Sequence, residues 1–109
     1  MSTADTEIDN KIEQRARIEP KVTVKEPNQF NVIYINDDKT TQEFVIESLK
    51  IVFGYSEETA ESLMRLVHEA GSAVVATLPF EMAEQKGIEV KMLARHNGFP
   101  LQVKIEEER

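Results

Sequence analysis

Phe30-Asn31-Val32-Ile33-Tyr34-Ile35-Asn36-Asp37-Asp38-Lys39-Thr40-Thr41-Gln42-Glu43-Phe44-Val45 is the stretch on which the reading of the fold turns. An apolar, β-branched run stops at three short polar residues, and a helix start follows at once. Phe30 to Ile35 reads as a strand, apolar enough to be buried on both faces. Thr40 with Glu43 three residues later has the capping-box pattern, which predicts a helix from about Thr41 to Phe53. Val45, Leu49, Val52 and Phe53 then fall on one helix face. Between strand and helix, Asn36, Asp37 and Asp38 set an amide and two carboxylates at the edge of the core. Asn and Asp are also common turn formers and acids favour helix N-termini, so the loop is equally compatible with turn chemistry.

Downstream, Gly54-Tyr55 closes the first helix and Ser56 caps a second, with Glu57 and Glu58 in the first turn where the helix dipole favours acids. That helix is expected to end at Ala70, with Gly71 taking the left-handed stop. Ser72 to Leu78 has strand composition. Pro79 suits the first turn of a third helix, which carries Phe80, Met82, Ala83, Ile88, Met92 and Leu93 and ends at Asn97-Gly98. Gly87 weakens this helix locally. After Pro100, Leu101, Val103 and Ile105 alternate with Gln102 and Lys104, the pattern of a half-exposed strand. The predicted order is β-α-α-β-α-β. It makes an α+β domain of three helices packed on a small sheet. Upstream, residues 1–28 are polar and charged, contain Pro20 and Pro27, and are expected to form a flexible N-terminal tail before a folded domain at 29–109.

Composition narrows the function. The chain has 109 residues, enough for one domain, and a formal net charge of -7. That balance argues against a nucleic-acid binder, which would show a basic face, and suits cationic ligands or plain solubility. There is no Cys, which excludes thiol catalysis, zinc–thiolate sites and disulfides. No apolar run approaches the roughly 20 residues a membrane helix needs. The N-terminus lacks a secretion-signal pattern, so a cytoplasmic location is expected.

Two further features join the Asn36-Asp37-Asp38 loop. Met64, Val67 and His68 share one face of the second helix, and Met lines irregular pockets well. Leu101 opens the last strand directly after Pro100. Packing alone accounts for each of these singly, and His96, near the end of the third helix, reads as favourable dipole chemistry. Together, Asn36, Asp37 and His68 with Val45, Met64, Val67 and Leu101 behind them describe a pocket for an ammonium group carrying an apolar side chain. An α-amine with a pKa near 8 is mostly a cation at neutral pH with three protons to donate. Asp37, the Asn36 carbonyl and a neutral His68 nitrogen are acceptors for it.

These residues resemble the ClpS family, adaptors that deliver N-degron substrates to the ClpA or ClpC unfoldase of the Clp protease. The resemblance runs from about Phe30 to Ile105 and is carried by Val32-Ile33-Tyr34-Ile35-Asn36-Asp37-Asp38, Glu43-Phe44-Val45-Ile46 and Leu63-Met64-x-x-Val67-His68-x-x-Gly71. Ala83-Glu84-x-Lys86, Ala94-Arg95 and Pro100-Leu101 add to it. It implies a binding protein, not an enzyme, with no cofactor. By this resemblance Asn36, Asp37 and His68 hold the substrate α-amine, and Asp38 and Thr40 lie beside its first peptide unit. Val45, Met64, Val67 and Leu101 enclose the first side chain, typically Leu, Phe, Tyr or Trp. Glu81 and Lys86 match the face that docks on the unfoldase N-terminal domain, and the N-terminal tail is implied to help hand over substrate. The chain departs from the family at Thr40-Thr41-Gln42, where Thr-Pro-Met is usual and the Met gates the pocket. Gln42 is of similar length but polar and is expected to narrow or shift the range of first residues. The resemblance places the protein in the cytoplasm, or in the plastid stroma of a plastid-bearing source.

Two other readings use the same residues. In an enzyme, Asp37, Asp38 and His68 would form a metal site or an acid–base pair, but neither a Cys nucleophile nor a third zinc ligand is in evidence. The predicted fold also resembles the C-terminal domain of the ribosomal stalk protein, an interaction domain without an amine pocket.

Overall fold

The computed structural model describes residues 28–109. Apart from Asn28, the expected N-terminal tail lies outside the described residues. The order of elements is β1 (Gln29–Ile35), α1 (Gln42–Phe53), α2 (Glu57–Ala70), β2 (Ser72–Pro79), α3 (Phe80–His96) and β3 (Gln102–Glu107). The strands form an antiparallel sheet in the order β2-β1-β3. This is the expected α+β arrangement, with β1 at the centre of the sheet.

Cross-strand register assigns the sheet's two faces. Val32 pairs with Ala76 and Ile105, and Tyr34 with Ala73 and Val103, so these side chains share the face on which the helices pack. The register shifts between Val32 and Ile33, which leaves Val75 as an extra, buried residue in β2. The Tyr55 hydroxyl donates to its carbonyl at 2.6 Å and so ties the α1–α2 connection to the bulge.

The expectation that β1 is buried on both faces does not hold. Val32 and Tyr34 are fully buried, whereas Asn31, Ile33 and Ile35 on the other face are only half-buried. All three helices gather on the Val32–Tyr34 side of this antiparallel sheet, which leaves the other face uncovered. It carries the Thr77–Asn31 hydrogen bond at 2.8 Å and the Lys104–Glu106 ion pair at 2.9 Å.

Local chemistry moves several predicted boundaries. The cap of α1 is Thr41, whose hydroxyl accepts from the Phe44 N–H at 3.1 Å, so the helix starts one residue later than predicted. Thr40 does not cap because its hydroxyl donates to Asp37. Ser56 caps α2 as predicted, and Gly71 ends it at φ 89°. Pro79 ends β2 and stands just before α3 instead of in its first turn, with an extended ψ of 154°. Leu101 lies just outside β3, which runs on to Glu107 and pairs there with Phe30.

Gly87 does not interrupt α3. It is buried where the helix crosses β3, and a Cβ there would lie 3.2 Å from Ile105 Cδ1 and 3.7 Å from Val103 Cγ1. The missing side chain lets helix and sheet approach closely, which outweighs the intrinsic helix cost of glycine.

Candidate functional site

The end of β1 and the end of α2 are joined by one backbone bond: the Asn36 N–H donates to the Gly71 carbonyl at 2.9 Å. Met64, Val67 and His68 lie on the last two turns before Gly71, so that bond brings their face against the loop leaving the sheet. From the other side, α1 is held over the strand by a buried pair. The Tyr34 hydroxyl lies 2.7 Å from Ser48 Oγ, and Ser48 in turn donates to the Val45 carbonyl at 2.8 Å. With Ser48 donating to Val45, Tyr34 is the donor to Ser48, and no polar atom of the pair is left unbonded. Burial pushes the Tyr34 hydroxyl far above its ordinary pKa, so it stays protonated and keeps donating.

Between these anchors lies an open cleft of about 510 Å³. Its floor is apolar, with Val45 and Val67 buried and Met64 half-buried. Its rim is polar and exposed: Asn36 and Asp38 from the loop, Gln42 from the start of α1 and His68 from the end of α2. Asp37 and Thr40, both half-buried, complete the loop side. Lys39, Thr41 and Glu43 also line the cleft and were not among the predicted site residues. A signal for Lys39 was available, because a residue inside a tight polar loop is carried to the same edge as its neighbours.

Turn chemistry falls on Asp37 and not on Asp38. Asp37 Oδ1 accepts from the Lys39 and Thr40 N–H groups at 2.8 and 2.7 Å, and Oδ2 accepts from the Thr40 hydroxyl at 2.8 Å. Burial pushes the Asp37 carboxyl up, but the Thr40 and Lys39 hydrogen bonds and the Lys39 charge outweigh it and hold the pKa below its ordinary value. Asp37 is therefore a carboxylate whose orientation is set by three donors, with lone pairs remaining for a ligand. Asp38 accepts no hydrogen bond from the described residues and faces the cleft with its charge free.

Three predicted residues lie elsewhere. Leu101 is buried at the end of the α3–β3 loop and lines a neighbouring groove instead of this cleft. Glu81 is exposed in the first turn of α3. Lys86, half-buried, donates to the Val52 carbonyl at 3.1 Å and lies 3.7 Å from Glu89. Its ammonium group thus serves the C-terminal end of α1 as well as the surface.

Among the described residues no three His, Cys, Asp or Glu side chains converge as a metal site requires. Nor is any described helix long and apolar enough to cross a membrane. The chemistry on offer is recognition, with acceptors and an anion at the rim of an apolar floor.

Comparison with known proteins agrees with this geometry. The family model of the ATP-dependent Clp protease adaptor protein ClpS matches residues 25–104. The chain belongs to the ClpS family. It is 39% identical over 90 residues to the ATP-dependent Clp protease adapter protein ClpS of Wolinella succinogenes, covering 83% of this chain and 88% of that protein. It is 36% identical over 105 residues to ClpS 2 of Agrobacterium fabrum, covering 96% and 98% respectively. Among solved structures, Agrobacterium tumefaciens ClpS2 bound to L-phenylalaninamide superposes with a TM-score of 0.74 at 41% identity, covering 76% of this chain and all of that one. Membership decides among the readings of the sequence: the protein is an adaptor of the Clp protease, not an enzyme and not a stalk-type interaction domain.

Proposed function

We propose that the cleft takes the first residue of an N-degron substrate, its α-amine on the polar rim and its side chain on the apolar floor. The observation that carries this is the meeting of the Asn36-Asp37 turn with His68 directly above Val45, Met64 and Val67. The similar ClpS2 binds L-phenylalaninamide, a compound with a free α-amine and a benzyl group, which are the two features this rim and floor suit. In this reading Asn36, Asp37 and His68 accept the three ammonium protons, and the charge on Asp37 strengthens its bond. Asp38 and Thr40 flank the first peptide unit. Met64 and Val67, with Val45, enclose a Leu, Phe, Tyr or Trp side chain. Gln42 stands at its edge as a polar gate.

The adaptor domain, residues 29–109, then delivers the substrate to an unfoldase of the ClpA or ClpC type in the cytoplasm. Glu81 and Lys86 on α3 are the docking residues, away from the cleft, so substrate and unfoldase engage different surfaces.

Fluorescence anisotropy with peptides differing only in their first residue, plus an N-acetylated control, tests the assignment. Acetylation removes the cation and two donors. Losing a charge-assisted bond of about 1.5–3 kcal/mol weakens binding by roughly ten- to a hundredfold. Equal affinity for free and acetylated peptides would overturn the amine-binding reading.

A further inference from the structure

The protein carries a net charge of -7, yet three cations are grouped beside the cleft. Lys39 lines the cleft and also a shallow groove of about 410 Å³, shared with Arg95, Gly98, Phe99 and Pro100. Arg95, Phe99 and Pro100 continue into a third groove of about 380 Å³, to which Lys91 also contributes. Lys91 and Arg95 are one turn apart on α3. The loop between them and Lys39 is held by Phe99, whose ring packs at a tilt, 5.0 Å centroid to centroid, on that of Phe44 in α1, the helix that borders the cleft.

Some surface cations of the described residues are ion-paired and others, Arg65 on α2 among them, are not. Lys50, Lys86 and Lys104 each have a carboxylate within 4 Å, at 2.6, 3.7 and 2.9 Å. Among the described residues no carboxylate lies within that distance of Lys39, Lys91 or Arg95. Lys39 does feel the adjacent Asp37, whose carboxyl it helps to hold in its charged form. The result is a polarised surface: carboxylates Asp37 and Asp38 on the cleft side, and cations beyond them along the α3–β3 loop.

From this we infer that the Lys39–Arg95–Lys91 strip binds acidic side chains at the positions following the first residue of the substrate, so that the protein prefers N-degrons with Asp or Glu close behind a bulky first residue. The inference rests on the amine-binding reading of the cleft and adds the direction in which the substrate leaves it. A chain whose ammonium group lies at Asn36 and Asp37 meets the cations if it runs over Lys39. Neutral residues gain nothing there and basic ones are repelled. The cations are exposed, so each pair contributes modestly and is weakened by salt.

The test is anisotropy at low and high ionic strength with Phe-first peptides whose second to fourth residues are all Glu, all Ser or all Lys, and an N-acetylated Phe-Glu control. The expected order is Glu tighter than Ser by about threefold to tenfold, and Ser tighter than Lys, with the spread shrinking as salt rises. In Arg95→Gln and in Lys39→Gln the Glu-to-Ser ratio falls towards one, and in Arg95→Glu the order moves in favour of Lys. If Glu, Ser and Lys peptides bind alike while the acetylated control fails, the inference is overturned and the amine-binding reading stands. If the acetylated control binds as well as the free peptide, the amine-binding reading falls and the inference with it. A Glu preference that persists undiminished in all three variants overturns the assignment to this strip.

Discussion

Replacing Asp37 by Asn removes one charge from the cleft while nearly conserving shape, and its consequence for stability follows from three hydrogen bonds. The amide oxygen of Asn can still accept from the Lys39 and Thr40 N–H groups now bonded at 2.8 and 2.7 Å. Its NH2 group cannot accept the bond that the Thr40 hydroxyl makes to Oδ2 at 2.8 Å. All three bonds lose their charge assistance. A bond to a charged group contributes about 1.5–3 kcal/mol and a neutral one about 0.5–1.5. Because the turn is half-exposed and water can compensate, the expected net loss is about 1–2 kcal/mol, or roughly 5–10 °C in Tm for a domain of this size. The Asp37 pKa is depressed below 3.8 in the folded state. Its contribution is therefore complete at pH values above the unfolded pKa and is lost as pH falls through the folded one. Urea unfolding of wild type and Asp37→Asn should show the full gap near neutral pH, and the gap should close at strongly acidic pH, where wild-type Asp37 is protonated too. No gap at neutral pH, or a gap unchanged on acidification, would refute the view that a charged Asp37 organises this loop.

Four other outcomes follow from the structure. Ser48→Ala should cost about 1–3 kcal/mol because it strands the buried Tyr34 hydroxyl, whereas Tyr34→Phe should cost nearer 1 and the double variant less than the sum, measured by urea unfolding; full additivity would count against the pair. His68→Ala should weaken binding of a Phe-first peptide about tenfold with Tm unchanged, since the side chain is an exposed rim residue. For the wild type, binding should weaken as pH rises through the α-amine pKa near 8 and again at strongly acid pH, where Asp37, held below the ordinary carboxylate pKa, is at last protonated; a flat profile sinks the charge-recognition mechanism. Gln42→Met should change the ranking of Phe, Leu, Trp and Tyr peptides, and an unaltered ranking would remove Gln42 from the determinants of specificity.

Element types and their order were legible in the sequence because each is announced by short-range chemistry. Ser56 before Glu57-Glu58, the glycines at 54 and 71, and the alternation from Leu101 to Ile105 act over three or four residues, the range of a helical turn or a strand pleat. The same holds for the meeting of Asn36 and Asp37 with the Met64–His68 face, once resemblance to a family supplied the pairing. What short-range patterns leave open is which of several competent groups takes a given hydrogen bond. The capping-box spacing favours Thr40 as the cap, and only the capture of the Thr40 hydroxyl by Asp37 gives the role to Thr41. Asp37 and Asp38 are equal candidates for the turn, and the closed loop selects the first.

Residues far apart in sequence settled the rest. Ile33 and Ile35 match Val32 and Tyr34 in hydrophobicity, yet half-burial follows from having helices on one side of the sheet alone. Gly87 looks like a flaw in a helix until Ile105, eighteen positions on, is found 3.2 Å from where its Cβ would stand. The cationic strip is assembled in the same way, from Lys39 on one loop and Arg95 on a helix brought beside it by Phe99 and Phe44. The sequence by itself thus determined the elements and the recognition chemistry each one carries. Partner choice, packing distance and the side from which water is excluded came from the assembled fold, because they depend on contacts that local backbone preference does not specify.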